Sequence, residues 1–159
     1  MSITKLNNLS LSAVTALPSG VGGKVLQVVT ATDETVRTTS STSFVTASNT
    51  LSVSITPSSA SNKVFINMST SVYSPADTWV GYVTIYRGAT NLATNQFVFS
   101  HGTSTYHIEG CAISVLDSPN TTSATTYQVY FRVQGGSPFS MGLNIGSTKG
   151  TITAFEIAG

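Results

Sequence analysis

Between residues 127 and 133, Tyr127, Val129, Phe131 and Val133 alternate with Gln128, Tyr130 and Arg132. A period of two sends one set to one side of a β-strand and the other set to the opposite side. The pattern recurs along the chain. Leu51, Val53 and Ile55 are separated by Ser52 and Ser54. Val64, Ile66, Met68 and Val72 share one parity, and Val83 and Ile85 oppose Tyr82, Thr84 and Tyr86. Apolar runs at 24–30, 97–99, 108–116, 141–145 and 151–157 complete the series. Turn residues punctuate it at 57–62, 88–91, 101–104, 117–120 and 135–138. About eight or nine strands result, roughly 8–15 residues apart, with no convincing helix. The pattern therefore predicts an all-β fold, an antiparallel β-sandwich of jelly-roll-like type.

Composition narrows what such a sandwich can do. Only 8% of the 159 residues are charged and the net charge is +1, against about 25% charged in an average soluble protein. Ser and Thr together account for 49 positions, so hydroxyls take over much of the surface. A chain with so little charge either keeps soluble through hydroxyls and amides or hides surface in an oligomer. Seven Lys and Arg, scattered over the chain, form no basic stripe for nucleic acid. No apolar run is long enough to cross a bilayer as a helix, so no membrane insertion is expected. The first residues lack the continuous apolar stretch of a signal peptide.

Residues 1–23 differ from the remainder. They contain no aromatic residue and end in the flexible sequence Pro18-Ser19-Gly20-Val21-Gly22-Gly23. Ile3, Leu6, Leu9, Leu11, Val14 and Leu17 suit neither a strand nor a stable isolated helix. This segment is read as an extended N-terminal anchoring arm whose apolar residues need a partner surface, leaving residues 24–159 as the sandwich domain. On that domain Phe65, Tyr82, Tyr86 and Tyr130 fall on nominally outward positions. Several aromatics on neighbouring strands predict an intersubunit patch.

Several segments, in order, resemble a widespread domain of bacteriophage virion proteins found in tail fibres and related attachment proteins. They begin with Gly23-Lys24-Val25-Leu26-Gln27-Val28-Val29 and Thr42-Ser43-Phe44-Val45. The run from Leu51-Ser52-Val53-Ser54-Ile55 through Thr56-Pro57-Ser58-Ser59-Ala60-Ser61-Asn62-Lys63-Val64 follows. Tyr86-Arg87-Gly88, Leu116-Asp117-Ser118-Pro119 and Thr125-Thr126-Tyr127-Gln128-Val129 come next, and Thr151-Ile152-Thr153-Ala154-Phe155-Glu156-Ile157 closes the set. The resemblance implies a homotrimeric β-sandwich with strand ends forming a distal tip, located on the virion at tail or capsid surface. With about 23 residues ahead of the domain and no coiled coil or shaft, it suits a short fibre or tip protein. The arm would hold other virion proteins, and the tip a host surface glycan or protein.

Residues with chemical potential read mostly as structural. Asp117 is a turn residue and Asp33-Glu34 a loop, which leaves no evident carboxylate pair for glycan hydrolysis. No Gly-x-Ser-x-Gly elbow serves His101 or His107, and no glycine-rich phosphate loop precedes a helix. Cys111 reads as a small buried hydrophobe. The two histidines flank a short turn and read as surface residues, although one per chain near a three-fold axis could hold a metal. No enzymatic activity, cofactor or metal is expected. Three Asn-x-Ser/Thr sequons, at Asn8, Asn67 and Asn120, are what so many hydroxyl residues produce by chance. Candidate tip contacts are Asp77 and Trp79, His101, and Phe139. Trp79, the single Trp, either touches a ligand or closes one end of the sandwich. The expected function is thus a non-enzymatic attachment protein of the virion. The alternatives are a trimeric capsid decoration protein, a monomeric carbohydrate-binding module and a glycan-cleaving tailspike.

Overall fold

The computed structural model describes residues 24–47, 50–74, 79–92, 97–101, 107–135 and 140–159. The arm residues Ile3, Leu6, Leu9, Leu11, Val14 and Leu17, and the tip candidates Asp77 and Phe139, lie outside this set. The described residues form two antiparallel sheets, as the alternation predicts.

The first sheet contains β1 (Val25–Asp33), β2 (Arg37–Thr39), β5 (Lys63–Ser74), β9 (His107–Asp117), β11 (Met141–Leu143) and β12 (Gly150–Ile157). Strand β5 is its spine. One side of β5 carries β9 from Val64↔Asp117 to Ser74↔His107, and the other carries β12 and then β11. Outside β12 lies β1. The second sheet contains β3 (Val45–Thr46), β4 (Ser52–Ile55), β6 (Trp79–Arg87), β7 (Thr90–Asn91), β8 (Phe97–His101) and β10 (Thr125–Val133). Here β10 pairs with β6 on one side and with β4 and β3 on the other.

The inward residues are those that the period of two selects. Val64, Ile66 and Met68 from β5, Ile152 and Ala154 from β12, and Cys111 and Ile113 from β9 meet Val53 and Ile55 from β4, Val83 and Ile85 from β6, and Tyr127, Val129, Phe131 and Val133 from β10. Each large aliphatic or aromatic side chain so buried stabilises by about 1.5–3 kcal/mol.

Several sequence expectations change. The described residues form twelve strands rather than eight or nine, because short strands such as β2, β3 and β7 add to the long ones. Asp33 is not in a loop: it ends β1 and is buried. Asp117 is not a turn residue: it ends β9 and is buried, while the turn itself passes through Asn120 in the left-handed region at φ 52°. The four outward aromatics do not form one patch either. Phe65 lies on the outer face of the first sheet, whereas Tyr82, Tyr86 and Tyr130 lie on the outer face of the second. The β5 and β6 strands alternate correctly, but their outer faces look in opposite directions across the sandwich.

The registers also give the sandwich two distinct ends. Arg87 of β6 and Tyr127 of β10 both reach Asp117, so the β6 terminus, the β10 start and the β9 terminus gather at one end. Val25 pairs with Ile157, and Ala158 N–H donates to the Lys24 carbonyl at 2.8 Å, so the strand that follows residues 1–23 begins at this same end. It is called the base below. At the opposite end Trp79 pairs with His101, Gly81 with Val133, Ser74 with His107, and Tyr73 with Gly142.

Candidate functional site

The tip candidates come from two strands that end together. Trp79 opens β6 and His101 closes β8, and their backbones are register partners. The strand ends flanking 75–78, 102–106 and 136–139 all lie at this end, opposite the base. Local sequence shows the three loops only one by one; the antiparallel registers bring their flanks together.

The outer face of the second sheet carries the most organised surface chemistry. Tyr86 and Tyr130 stack with ring centroids 4.2 Å apart and planes inclined by 29°. Phe44 meets Tyr86 edge-on at 6.0 Å. The Arg132 guanidinium carbon sits 3.9 Å from the Tyr82 ring centroid and 5.1 Å from that of Phe44, so two rings hold one cation. All five side chains are half-buried. Tyr82, Tyr86 and Tyr130 were legible from parity. Arg132 shares the parity of Tyr130, and that signal could have found it. Phe44 arrives from outside the regular strands and carries no such signal.

The outer face of the first sheet is different in kind. One row crosses four strands as Val28↔Phe155↔Phe65↔Leu116. Phe65 and Phe155 pack at 6.0 Å, and Val28 and Leu116 at the row's ends are 54% and 58% exposed. Val25 and Leu26 extend the apolar area toward the base. The next row, Thr30↔Thr153↔Asn67↔Ser114, is polar and internally bonded: Thr30 and Thr153 hydroxyls lie 3.0 Å apart, and Asn67 Nδ2 donates to Ser114 Oγ at 2.8 Å. The apolar row is therefore bounded by side chains that already satisfy one another.

Several ionisable groups elsewhere are engaged structurally. At the base, Arg87 Nη1 donates to both Asp117 carboxylate oxygens at 2.8 Å, and the Tyr127 hydroxyl donates to Oδ2 at 2.8 Å. Burial first, then the neighbouring Asp117, pushes the Tyr127 hydroxyl far above its ordinary range. Glu156 is 1% exposed and accepts hydrogen bonds from Ser58 N–H and Oγ, Asn62 Nδ2 and Gln27 Nε2 at 2.6–2.7 Å. Burial works to raise its pKa, but these donors outweigh it and hold the carboxyl at about 2. Burial pushes the Cys111 thiol up to about 12, too high for a nucleophile near neutral pH.

A shallow groove beside β5 and β9 includes Ser69, Ser71, Glu109, Thr148 and Lys149, but its ionisable groups already have partners: Glu109 lies 2.8 Å from His107 Nε2 and Lys149 pairs with Glu34 at 2.7 Å. Among the described residues no group of three His, Cys, Asp or Glu side chains is placed to hold a metal ion. No nucleophile–base pair emerges from these contacts.

No protein-family model matches the chain, and no curated protein matches it. Among solved structures it is similar to one described as the structure of infectious bursal disease virus, Gx strain. The identity is 14% and the TM-score 0.47, over 84% of this chain and 37% of that one. This chain thus spans little more than a third of the length of that neighbour.

Proposed function

We propose that the chain is a non-enzymatic structural protein of a bacteriophage particle: a short trimeric attachment fibre or tip protein, anchored by residues 1–23. The observation that carries this reading is the polarity of the domain. The strand that follows the arm starts at the base, while Trp79, His101 and the flanks of the three candidate loops sit at the opposite end. An anchored protein that reaches outward needs this separation. The ordered motifs of the sequence support the same reading. The apolar row on the first sheet supports assembly, because a monomer with so few charges gains nothing from exposing Val28 and Leu116.

Light scattering on the purified protein, with and without residues 1–23, tests it. The expected mass is about three chains in both forms, because the sandwich itself carries the assembly face. A monomer in both forms overturns the trimeric reading. A trimer seen only with the arm moves the subunit contact from the sandwich to the arm. The partner retained by immobilised residues 1–23 from disrupted particles then separates a tail site from a capsid-decoration site.

A further inference from the structure

We infer that the outer face of the second sheet binds an acidic glycan, with Arg132 as the residue that takes the sugar carboxylate. The chain has three arginines. Arg37 is paired with Asp33 at 3.1 Å and Arg87 with Asp117 at 2.8 Å. Arg132 alone is held by rings, those of Tyr82 and Phe44, and among the described residues no carboxylate reaches it. A guanidinium packed on rings keeps the N–H donors along its edge available to an acceptor. That fork matches a planar carboxylate bidentately, and the stacking fixes it before the ligand arrives. Next to it, Tyr86 and Tyr130 stack on each other and bring two phenol hydroxyls, groups that can hydrogen-bond sugar hydroxyls.

Among the described residues no acid supplies the counter-charge. All five described acids are already engaged: Asp33 with Arg37, Glu34 with Lys149, Glu109 with His107, Asp117 with Arg87, and Glu156 with Ser58, Asn62 and Gln27. A second copy of the chain therefore offers no spare carboxylate from these residues. Nucleic acid would require several cations on this face, and Arg37, Lys63 and Lys149 belong to the other sheet or its connections. One oriented cation flanked by tyrosines suits one carboxylate among many hydroxyls, as in a uronic- or sialic-acid polymer. The inference rests on the attachment reading and gives it a ligand class. A single site of this size binds weakly, and many copies on one particle supply avidity.

The test titrates the full chain with tetragalacturonic acid and with 3′-sialyllactose, using maltotetraose as the neutral control, followed by NMR shifts and calorimetry. At least one acidic probe is expected to bind saturably and shift Tyr82 and Arg132 signals, with maltotetraose at least tenfold weaker. Arg132→Gln is expected to weaken that binding tenfold or more, and Arg132→Lys, which keeps charge without the planar fork, to retain part of it. Because Arg132 is half-exposed, both variants are expected to keep the native circular dichroism spectrum. Equal binding of maltotetraose with no effect of Arg132→Gln overturns the inference, as does no binding by any probe. Dissociation of the oligomer by Arg132→Gln also overturns it, by making this face an intersubunit contact. The attachment reading fails separately, if particles carrying substitutions at Trp79 and His101 and in this face adsorb to host cells as well as the unaltered particle.

Discussion

Glu156 shows how a residue can be unremarkable in sequence and decisive in place. Its donors come from residues 27, 58 and 62, nearly a hundred or more positions away. A folded-state pKa held at about 2 against an ordinary carboxyl value of 4.5 means that the ionised form is the stabilised one. Its contribution is complete above about pH 5 and is lost as pH falls toward about 2. The shift corresponds to about 3 kcal/mol. Glu156→Gln turns one acceptor into an amide donor facing other donors, so it is expected to cost about 2–4 kcal/mol at pH 7. It should also remove part of the acid sensitivity. Urea unfolding at pH 7, 4.5 and 3 checks both: the difference between wild type and variant should shrink as the pH falls. A difference that stays constant assigns the cost to packing and removes the ionised carboxylate from the account.

At the scale of elements, legibility followed length. Strands β5, β6, β10 and β12 repeat their alternation often enough for period and facing to be read directly. β2, β3 and β7 span two or three residues, too few to display any period; they exist because β11, β10 and β6 offer them an edge. Parity also tells which residues point outward from one strand but not which sheet that strand joins. This is why Phe65 and the three tyrosines were grouped although they lie on opposite faces. The separation assigns them different tasks. Val28, Phe155, Phe65 and Leu116 form a row without charge, suited to a second apolar surface. If this row is the subunit contact of the proposed trimer, introducing charge at its exposed ends, as Val28→Asp with Leu116→Asp, is expected to leave the circular dichroism spectrum unchanged and to reduce the solution mass to that of one chain. A variant that keeps the mass of three chains moves the subunit contact to another face.

At the scale of the whole molecule, the sandwich has chemically different ends. The base is cross-linked by Arg87–Asp117–Tyr127 and by the donors around Glu156. The far end gathers strand termini from both sheets. None of this follows from local sequence, because it depends on which strands pair across large separations. The burial of Cys111 makes the polarity measurable. Its thiol is 2% exposed and pushed up to about 12, so the native chain is expected to stay silent toward a maleimide at pH 7. Single cysteines can then be placed at exposed Ser61, near the base, and at exposed Gln134, where β10 reaches the far end. In the free protein Ser61→Cys and Gln134→Cys should label at similar rates. If the arm seats the base against the virion, as proposed above, Gln134→Cys should keep its rate on the assembled particle and Ser61→Cys should slow at least tenfold. The reverse pattern would mean that the end bearing Trp79 and His101 faces the particle, which would make the domain a surface clamp.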